Sequence, residues 1–210
     1  MSYGFLDIAA TPSIKAAWRA NGVEALWSDP GLDRPSDRFT AAEAQFIRER
    51  DSFYIASASE TGWPYVQHRG GPVGFLKVLD DRSLAFADFR GNRQYISLGN
   101  LSADDRVALI LMDYANRRRL KIYGRVSFVD LATDPALAAR VSTPGYRGKA
   151  ERAALIRLEA FDWNCAQHIT PRFTTEEIGQ ALAPERARLA RLEAENRELR
   201  ARLDLPGAPT

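Results

Sequence analysis

Six apolar or alternating runs occupy the middle of the chain: Phe53 to Ala58, Tyr65 to His68, Val73 to Leu79, Ser83 to Asp88, Val107 to Met112 and Leu120 to Val129. Gly, Pro, Asp and Asn punctuate them, the pattern of half-buried β-strands separated by turns. In the last run Leu120, Ile122, Val126 and Phe128 share one face, while Lys121, Tyr123, Arg125 and Ser127 share the other. One side therefore packs on a core and the other meets water. Turns as short as Glu60-Thr61-Gly62 and Asp80-Asp81 favour antiparallel neighbours, because a parallel crossover needs a dozen or more residues. Closure would remove exposed edges, so the expected architecture is an antiparallel, closed or split β-barrel with peripheral helices, of the α+β class.

Helical spacing flanks this region. Thr11-Pro12 followed by Ile14, Ala17 and Trp18 predicts a capped amphipathic helix ending near Gly22, and a linker rich in Asp, Pro and Gly runs from Ser28 to Asp37. Thr40-Ala41-Ala42-Glu43 has capping-box spacing and opens a helix through Arg50, with Ala44, Phe46 and Ile47 on its apolar face. Helices are also expected at Pro135 to Arg140 and Lys149 to Glu159, followed by a polar-aromatic segment from Phe161 to Phe173. The expected division is a helical extension over 1–39, the barrel domain over 40–175, a C-terminal helix over 176–205 and a disordered tail over 206–210.

That last helix carries a heptad seam. After Pro184, which suits a first turn, Leu189, Leu192, Asn196, Leu199 and Leu203 recur at three- and four-residue steps. With Leu189, Asn196 and Leu203 at the first core position, Arg188 meets Glu193 and Glu195 meets Arg200 across a parallel pair, so a short coiled coil is expected; the alternative is an amphipathic helix lying on its own domain.

Charge narrows the partners. The formal net charge of +2 comes from 29 basic and 27 acidic residues, which gives no global attraction for nucleic acid or an anionic membrane. The single Cys165 excludes an internal disulfide, the N-terminus lacks a signal-peptide pattern, and no run approaches the roughly 20 apolar residues of a membrane helix. A cytoplasmic setting is expected.

Two stretches carry the chemistry. Ser83 to Gln94 runs as a strand, breaks at Gly91 and presents Asn92, Arg93 and Gln94 in a turn that opens a helix, so free backbone N–H groups and Arg93 converge on an anion. Val66 to Pro72 adds Arg69 beside the Gly70-Gly71 pair, which would let a planar ligand approach the backbone. Together they suggest a phosphate-bearing aromatic cofactor; the alternative is that both arginines are simply solvated. The segment Asp162 to Phe173 resembles a lid in which Trp163 covers a flat ring, Asn164 and Gln167 bond its heteroatoms and Arg172 reaches an anion, or else it is a barrel-closing strand. Cys165, His168 and His68 are too few for a zinc site without a carboxylate, and no device activates Cys165 as a nucleophile, so no metal is expected.

Val66-Gln67-His68-Arg69-Gly70-Gly71-Pro72 with Gly74-Phe75, then Phe86-Ala87-Asp88 leading to Gly91-Asn92-Arg93 and Ser97, then Val107-Ala108-Leu109, resemble the pyridoxamine 5′-phosphate oxidase-like, FMN-binding split-barrel proteins over roughly residues 40 to 175. The resemblance implies a homodimer with FMN at the subunit interface and a small-molecule redox substrate. Arg69 and Arg93 would hold the phosphate with Asn92, Gln94 and Ser97 nearby, Asp88 would belong to the same site, and Gln67 and His68 would line the isoalloxazine. Trp163, Asn164, Gln167 and Arg172 would close it. Two departures speak against vitamin B6 as substrate: the arginine-lysine pair that opens the family's phosphate-binding helix stands here as Asn92-Arg93, and the substrate-gripping C-terminus is replaced by the heptad tail. The expected function is an FMN-dependent oxidoreductase, with a non-catalytic flavin-binding or redox-sensing module as the alternative and a metal-dependent hydrolase as the third reading. FMN is expected rather than FAD because no Gly-x-Gly-x-x-Gly fingerprint follows a strand.

Overall fold

The computed structural model describes residues 4–27, 36–164 and 166–203. Three short helices, α1 (Phe5–Ala9), α2 (Pro12–Ala20) and α3 (Glu24–Trp27), precede α4 (Ala41–Arg48). Then come β1 (Ser52–Ala58), β2 (Pro64–Gly70), β3 (Lys77–Val78), β4 (Ser83–Phe89), α5 (Ile96–Ala103), β5 (Arg106–Asp113), β6 (Arg118–Asp130), α6 (Pro135–Val141), β7 (Ala150–Asn164) and α7 (Thr175–Leu203). Residues Met1–Asp113 and Arg117–Ile169 form one compact unit; Tyr114–Asn116 and Thr170–Thr210 form a second.

In the first unit the strands make one seven-stranded sheet in the order β2-β1-β5-β6-β7-β4-β3, antiparallel at every pairing. The sheet curls. Phe53 on β1 and Phe86 on β4 are four strands apart in that order, yet their rings meet edge-on at 5.4 Å. Phe75 stacks on the same Phe53 ring at 5.6 Å. The concave side is thereby filled by one cluster that includes Phe46, Ile47, Leu84, Leu111, Leu120, Ile122 and Ile156. This is the antiparallel split barrel of the α+β class, with helices around it.

The alternation seen in the sequence sets the faces: Phe53, Ile55 and Ser57 of β1, Val107, Leu109 and Leu111 of β5, and Leu120, Ile122 and Val126 of β6 are all buried. A register shift between Tyr123 and Gly124 accents β6 where β7 crosses it. At Gly124 a Cβ would lie 2.7 Å from the Arg157 carbonyl oxygen and 2.8 Å from Ile156 Cγ2, so only glycine admits that approach.

Local signals for helices hold at α2, where Thr11 caps the N-terminus with Pro12 in the first turn, and at α4. Thr40 Oγ1 accepts from the Ala42 N–H at 3.2 Å and Glu43 Oε2 accepts from the Thr40 N–H at 2.9 Å, forming the expected capping box.

Three expectations need correction. The helix expected over Lys149 to Glu159 is absent, and from Ala150 onward this stretch is the first part of the 15-residue strand β7. Its Ala, Leu, Glu and Arg content favours a helix intrinsically, yet β7 is paired on both sides, by β6 and β4. Its first half is also packed on both faces: Ala154 and Ile156 enter the main core, while Ala153 joins Ala85, Ala87, Leu137 and Val141 beneath α6. Burial on both faces erases the period-two signature. The strand expected over Val73 to Leu79 shrinks to Lys77–Val78, because Phe75 and Leu76 go into the core from a turn closed by the Phe75 N–H to the Pro72 carbonyl at 2.9 Å. Finally, α7 starts at Thr175, nine residues before Pro184, which lies inside the helix. The linker up to Pro35, the tail over 206–210 and Cys165 lie outside the described residues.

In the second unit Thr174 and Glu177 cap α7 reciprocally, with the Thr174 N–H donating to Glu177 Oε2 at 2.7 Å and the Glu177 N–H donating to Thr174 Oγ1 at 3.1 Å. No residue of α7 is buried. Among the described residues no helix is long and apolar enough to cross a membrane.

Candidate functional site: a polar cavity at the ends of β2 and β4

A cavity of about 220 Å³ opens where β2, the end of β4, the following loop, the start of α5 and the start of β7 meet. Alternation on β2 sends Tyr65, Gln67 and Arg69 into it. Tyr65 donates to Gln67 Oε1 at 2.5 Å, which fixes the amide so that its N–H₂ points to the His68 carbonyl at 3.3 Å.

Arg69 is aimed by Asp88. Arg69 Nη1 lies 3.3 Å from Asp88 Oδ1, and Arg152 Nε approaches the other oxygen at 3.7 Å. Burial pushes the Asp88 carboxyl above the usual carboxylate range, with Arg69 and Arg152 pulling it the other way. Arg69 Nε is buried and has no hydrogen-bond partner among the described residues. A guanidinium donor left in this state normally costs free energy unless an acceptor arrives.

The loop after β4 turns sharply. Arg93 and Tyr95 both adopt left-handed backbone, with φ of 63° and 52°, and Asn92 Oδ1 accepts from the Gln94 N–H at 3.1 Å between them. Tyr95 is the N-cap of α5 and supplies no side-chain acceptor. Among the described residues no side chain caps the first turn of α5, whose Ile96, buried Ser97 and Leu98 line the cavity beside exposed Arg93. Positive helix ends of this kind attract anions.

Glu151 holds the rim together, accepting from Arg90 Nε at 2.7 Å, Arg152 Nη2 at 3.0 Å and the Tyr95 hydroxyl at 3.2 Å. The Arg90 bond leads the effects that hold its carboxyl below the ordinary glutamate value. Sequence reasoning missed Glu151 and Tyr95. Reading its segment as a helix hides Glu151; only in the second half of β7 does the alternation of Ile156, Leu158 and Ala160 against Arg157 and Glu159 carry a strand signal.

Of the sequence-predicted site residues, Gln67, Arg69, Asp88, Asn92, Arg93, Gln94 and Ser97 line this one cavity. The others are elsewhere. His68 projects from the opposite face of β2 and packs edge-on against Tyr54 at 5.4 Å. The glycine pair serves the chain's own rings, since a Cβ on Gly71 would meet Phe75 Cγ at 2.7 Å and one on Gly70 would meet His68 Cε1 at 3.0 Å. Trp163 packs edge-on against Phe46 at 4.8 Å, carries the Arg118 guanidinium over its ring at 4.5 Å and donates Nε1–H to Glu43. Asn164 ends β7 opposite Arg119, and Gln167 is exposed beyond it. Arg172 belongs to the second unit, where it covers the Tyr114 ring at 5.0 Å.

A split barrel with an anion-facing cavity at its strand ends describes the class. Residues 39–162 match the family model described as pyridoxamine 5′-phosphate oxidase, and the chain belongs to that family. At the level of the family this supports flavin binding. None of the curated proteins matches the sequence. Among solved structures, a conserved hypothetical protein from Mycobacterium tuberculosis is 16% identical, with 68% of this chain and 95% of that one covered and a TM-score of 0.47. An FMN-binding protein from Syntrophomonas wolfei is 13% identical, with 71% and 96% covered and a TM-score of 0.43. A general stress protein 26-related protein of the pyridoxinephosphate oxidase family from Clostridium acetobutylicum is 14% identical, with 65% and 94% covered and a TM-score of 0.43.

Proposed function

We propose that the protein binds FMN in this cavity and acts as an FMN-dependent oxidoreductase on a small redox substrate. The observation that carries the reading is the buried Nε of Arg69, without a hydrogen-bond partner among the described residues, together with the uncapped start of α5. A phosphate supplies acceptors to both, and the arginine fork matches its geometry. Arg69, Arg93, Ser97 and the α5 N–H groups would take the phosphate, Asn92 and Gln94 would hold the loop, and Gln67 would bond the flavin ring. Asp88 acts on Arg69 rather than on the ligand.

Bound FMN would supply the hydride or electron transfer. The residues of the chain bind and orient it. A cavity of about 220 Å³ is smaller than the roughly 300–1,000 Å³ of typical ligand pockets, which supports a site completed by a second subunit, as in the dimers common in this family. His68, Asn164, Gln167 and Arg172, all outside the cavity of their own chain, are the candidates for the partner's share. Trp163, already engaged by Glu43 and Arg118, is assigned to supporting the barrel.

Mass spectrometry of the ligand released by heat from the purified protein tests the proposal. FMN in near-stoichiometric amount is expected; FAD, or no flavin after reconstitution, would overturn it.

A further inference from the structure

The family match ends at residue 162, and α7 lies wholly beyond it. At 29 residues this helix is about twice the length at which an isolated helix becomes marginal in water, yet it buries nothing of its own. Leu182, Leu189, Leu192, Leu199 and Leu203 are all exposed, between 43% and 74%. Leu182 and Ile178 extend the seam of Leu189, Leu192, Asn196, Leu199 and Leu203 backward in the same heptad frame, with Leu182 at the first core position and Ile178 at the second. In that frame Pro184 falls on the outer face, where its missing N–H and ring do not obstruct the seam. Glu185 interrupts this frame at the second core position, so the continuous seam runs from Leu189 to Leu203, about 21 Å at roughly 1.5 Å per residue, and has no partner among the described residues.

We infer that this stripe is the interface for a second copy of α7, paired parallel and in register as a two-stranded coiled coil. Charge complementarity selects the second copy. Parallel pairing sets Arg188 against Glu193 and Glu195 against Arg200, each occurring twice by symmetry. An antiparallel pair that places Asn196 opposite Leu192 brings Arg188 to Arg202 and Glu195 to its twin, both repulsive. Sliding the antiparallel pair a heptad one way restores attraction between Arg188 and Glu195 but sets Asn196 against Glu185 in two core layers. Burying a carboxylate twice is costly. Sliding it the other way pairs Glu195 with Arg202 but leaves Leu189 outside the seam and faces each Asn196 amide with Leu199, two buried amides without partners. The parallel pair over residues 189–203 hides one polar layer only, Asn196 against Asn196, and the two amides satisfy each other. Glu185 meets its own twin in that arrangement, so the paired segment ends there, next to Pro184.

The test is thiol crosslinking in the full-length chain with Cys165→Ser as background. Asn196→Cys places one thiol in the central layer of the parallel pair, whereas Ala194→Cys places it on the outer face. Under mild oxidation with oxidised glutathione, each disulfide forming from two thiols, Asn196→Cys is expected to give a covalent dimer at least tenfold faster than Ala194→Cys. Adding Leu192→Glu and Leu199→Glu should abolish that advantage without lowering flavin content. Equal rates for the two cysteines would mean simple proximity and overturn the inference. So would a preference for linking Asn196→Cys to Glu185→Cys over linking it to itself, since residue 196 of each chain then sits about 16 Å from its twin along the axis. Loss of bound flavin alone bears on the proposed function and leaves this result unchanged.

Discussion

Trp163 donates its indole N–H to Glu43 Oε1 at 2.7 Å, across 120 residues of sequence. The other oxygen of the same carboxylate closes the capping box of α4, accepting from the Thr40 N–H at 2.9 Å and the Thr40 hydroxyl at 2.5 Å. One buried carboxylate therefore clamps the start of a helix to the end of the longest strand. Burial alone would raise the Glu43 carboxyl, but the bonds from Thr40 and Trp163 outweigh it and leave it below its ordinary value of 4.5.

Trp163→Phe keeps the ring in place and leaves Glu43 Oε1 short of a donor. The expected loss is about 1–3 kcal/mol of stability, read by urea denaturation at neutral pH. Because the folded Glu43 is more acidic than the unfolded one, its ionised form stabilises the fold above the ordinary glutamate range, and that contribution fades as pH falls through the folded value. The stability gap between the native chain and Glu43→Gln should accordingly narrow in acid; a gap that widens would contradict the assignment.

Arg93→Ala is expected to weaken FMN by roughly 10- to 150-fold, the equivalent of about 1.5–3 kcal/mol for one charge-assisted bond. Riboflavin, which lacks the phosphate, should bind nearly as before. Fluorescence titration of the apoprotein with both ligands separates the two outcomes, and equal losses would assign Arg93 to the fold.

Gly124→Ala drives a methyl group into the Arg157 carbonyl at 2.7 Å. A destabilisation of about 1–3 kcal/mol is expected, visible as a lower melting temperature. An unchanged melting temperature would show that β6 and β7 separate there at no cost.

Reduced nicotinamide or another hydride donor should bleach the bound flavin, with colour returning in air, if the protein turns over. A flavin inert to a broad panel of donors would favour a binding or sensing module.

What was legible in the sequence was short in range. Thr40 and Glu43 announce their helix by spacing alone, and Asp88-Phe89-Arg90-Gly91-Asn92-Arg93 announces a strand end and an anion-facing turn. The unread part depends on distance. The polar surroundings of Trp163 suggested a lid because its hydrogen-bond partner is Glu43, in a segment that no local window contains. The sequence of β7 points to a helix because its intrinsic preference is helical, and the strands on either side of it overrule that preference. The glycine setting of Arg69 points to the site for a different reason from the one the structure gives, since those glycines accommodate Phe75 and His68.

The place of β7 in the sheet also sets an order of assembly. Among the described residues β4 pairs only with the two-residue β3 and with β7, and β7 is the last strand. As the chain leaves the ribosome, β1, β2, β5 and β6 can already pair with one another, while β4 waits with one edge open for some sixty residues of further synthesis. The cavity waits with it, since Asp88 sits on β4 and Glu151 and Arg152 on β7. Nascent chains stalled before residue 150 should therefore expose an aggregation-prone strand and lack the assembled cavity, which makes the site a late event in the life of each molecule.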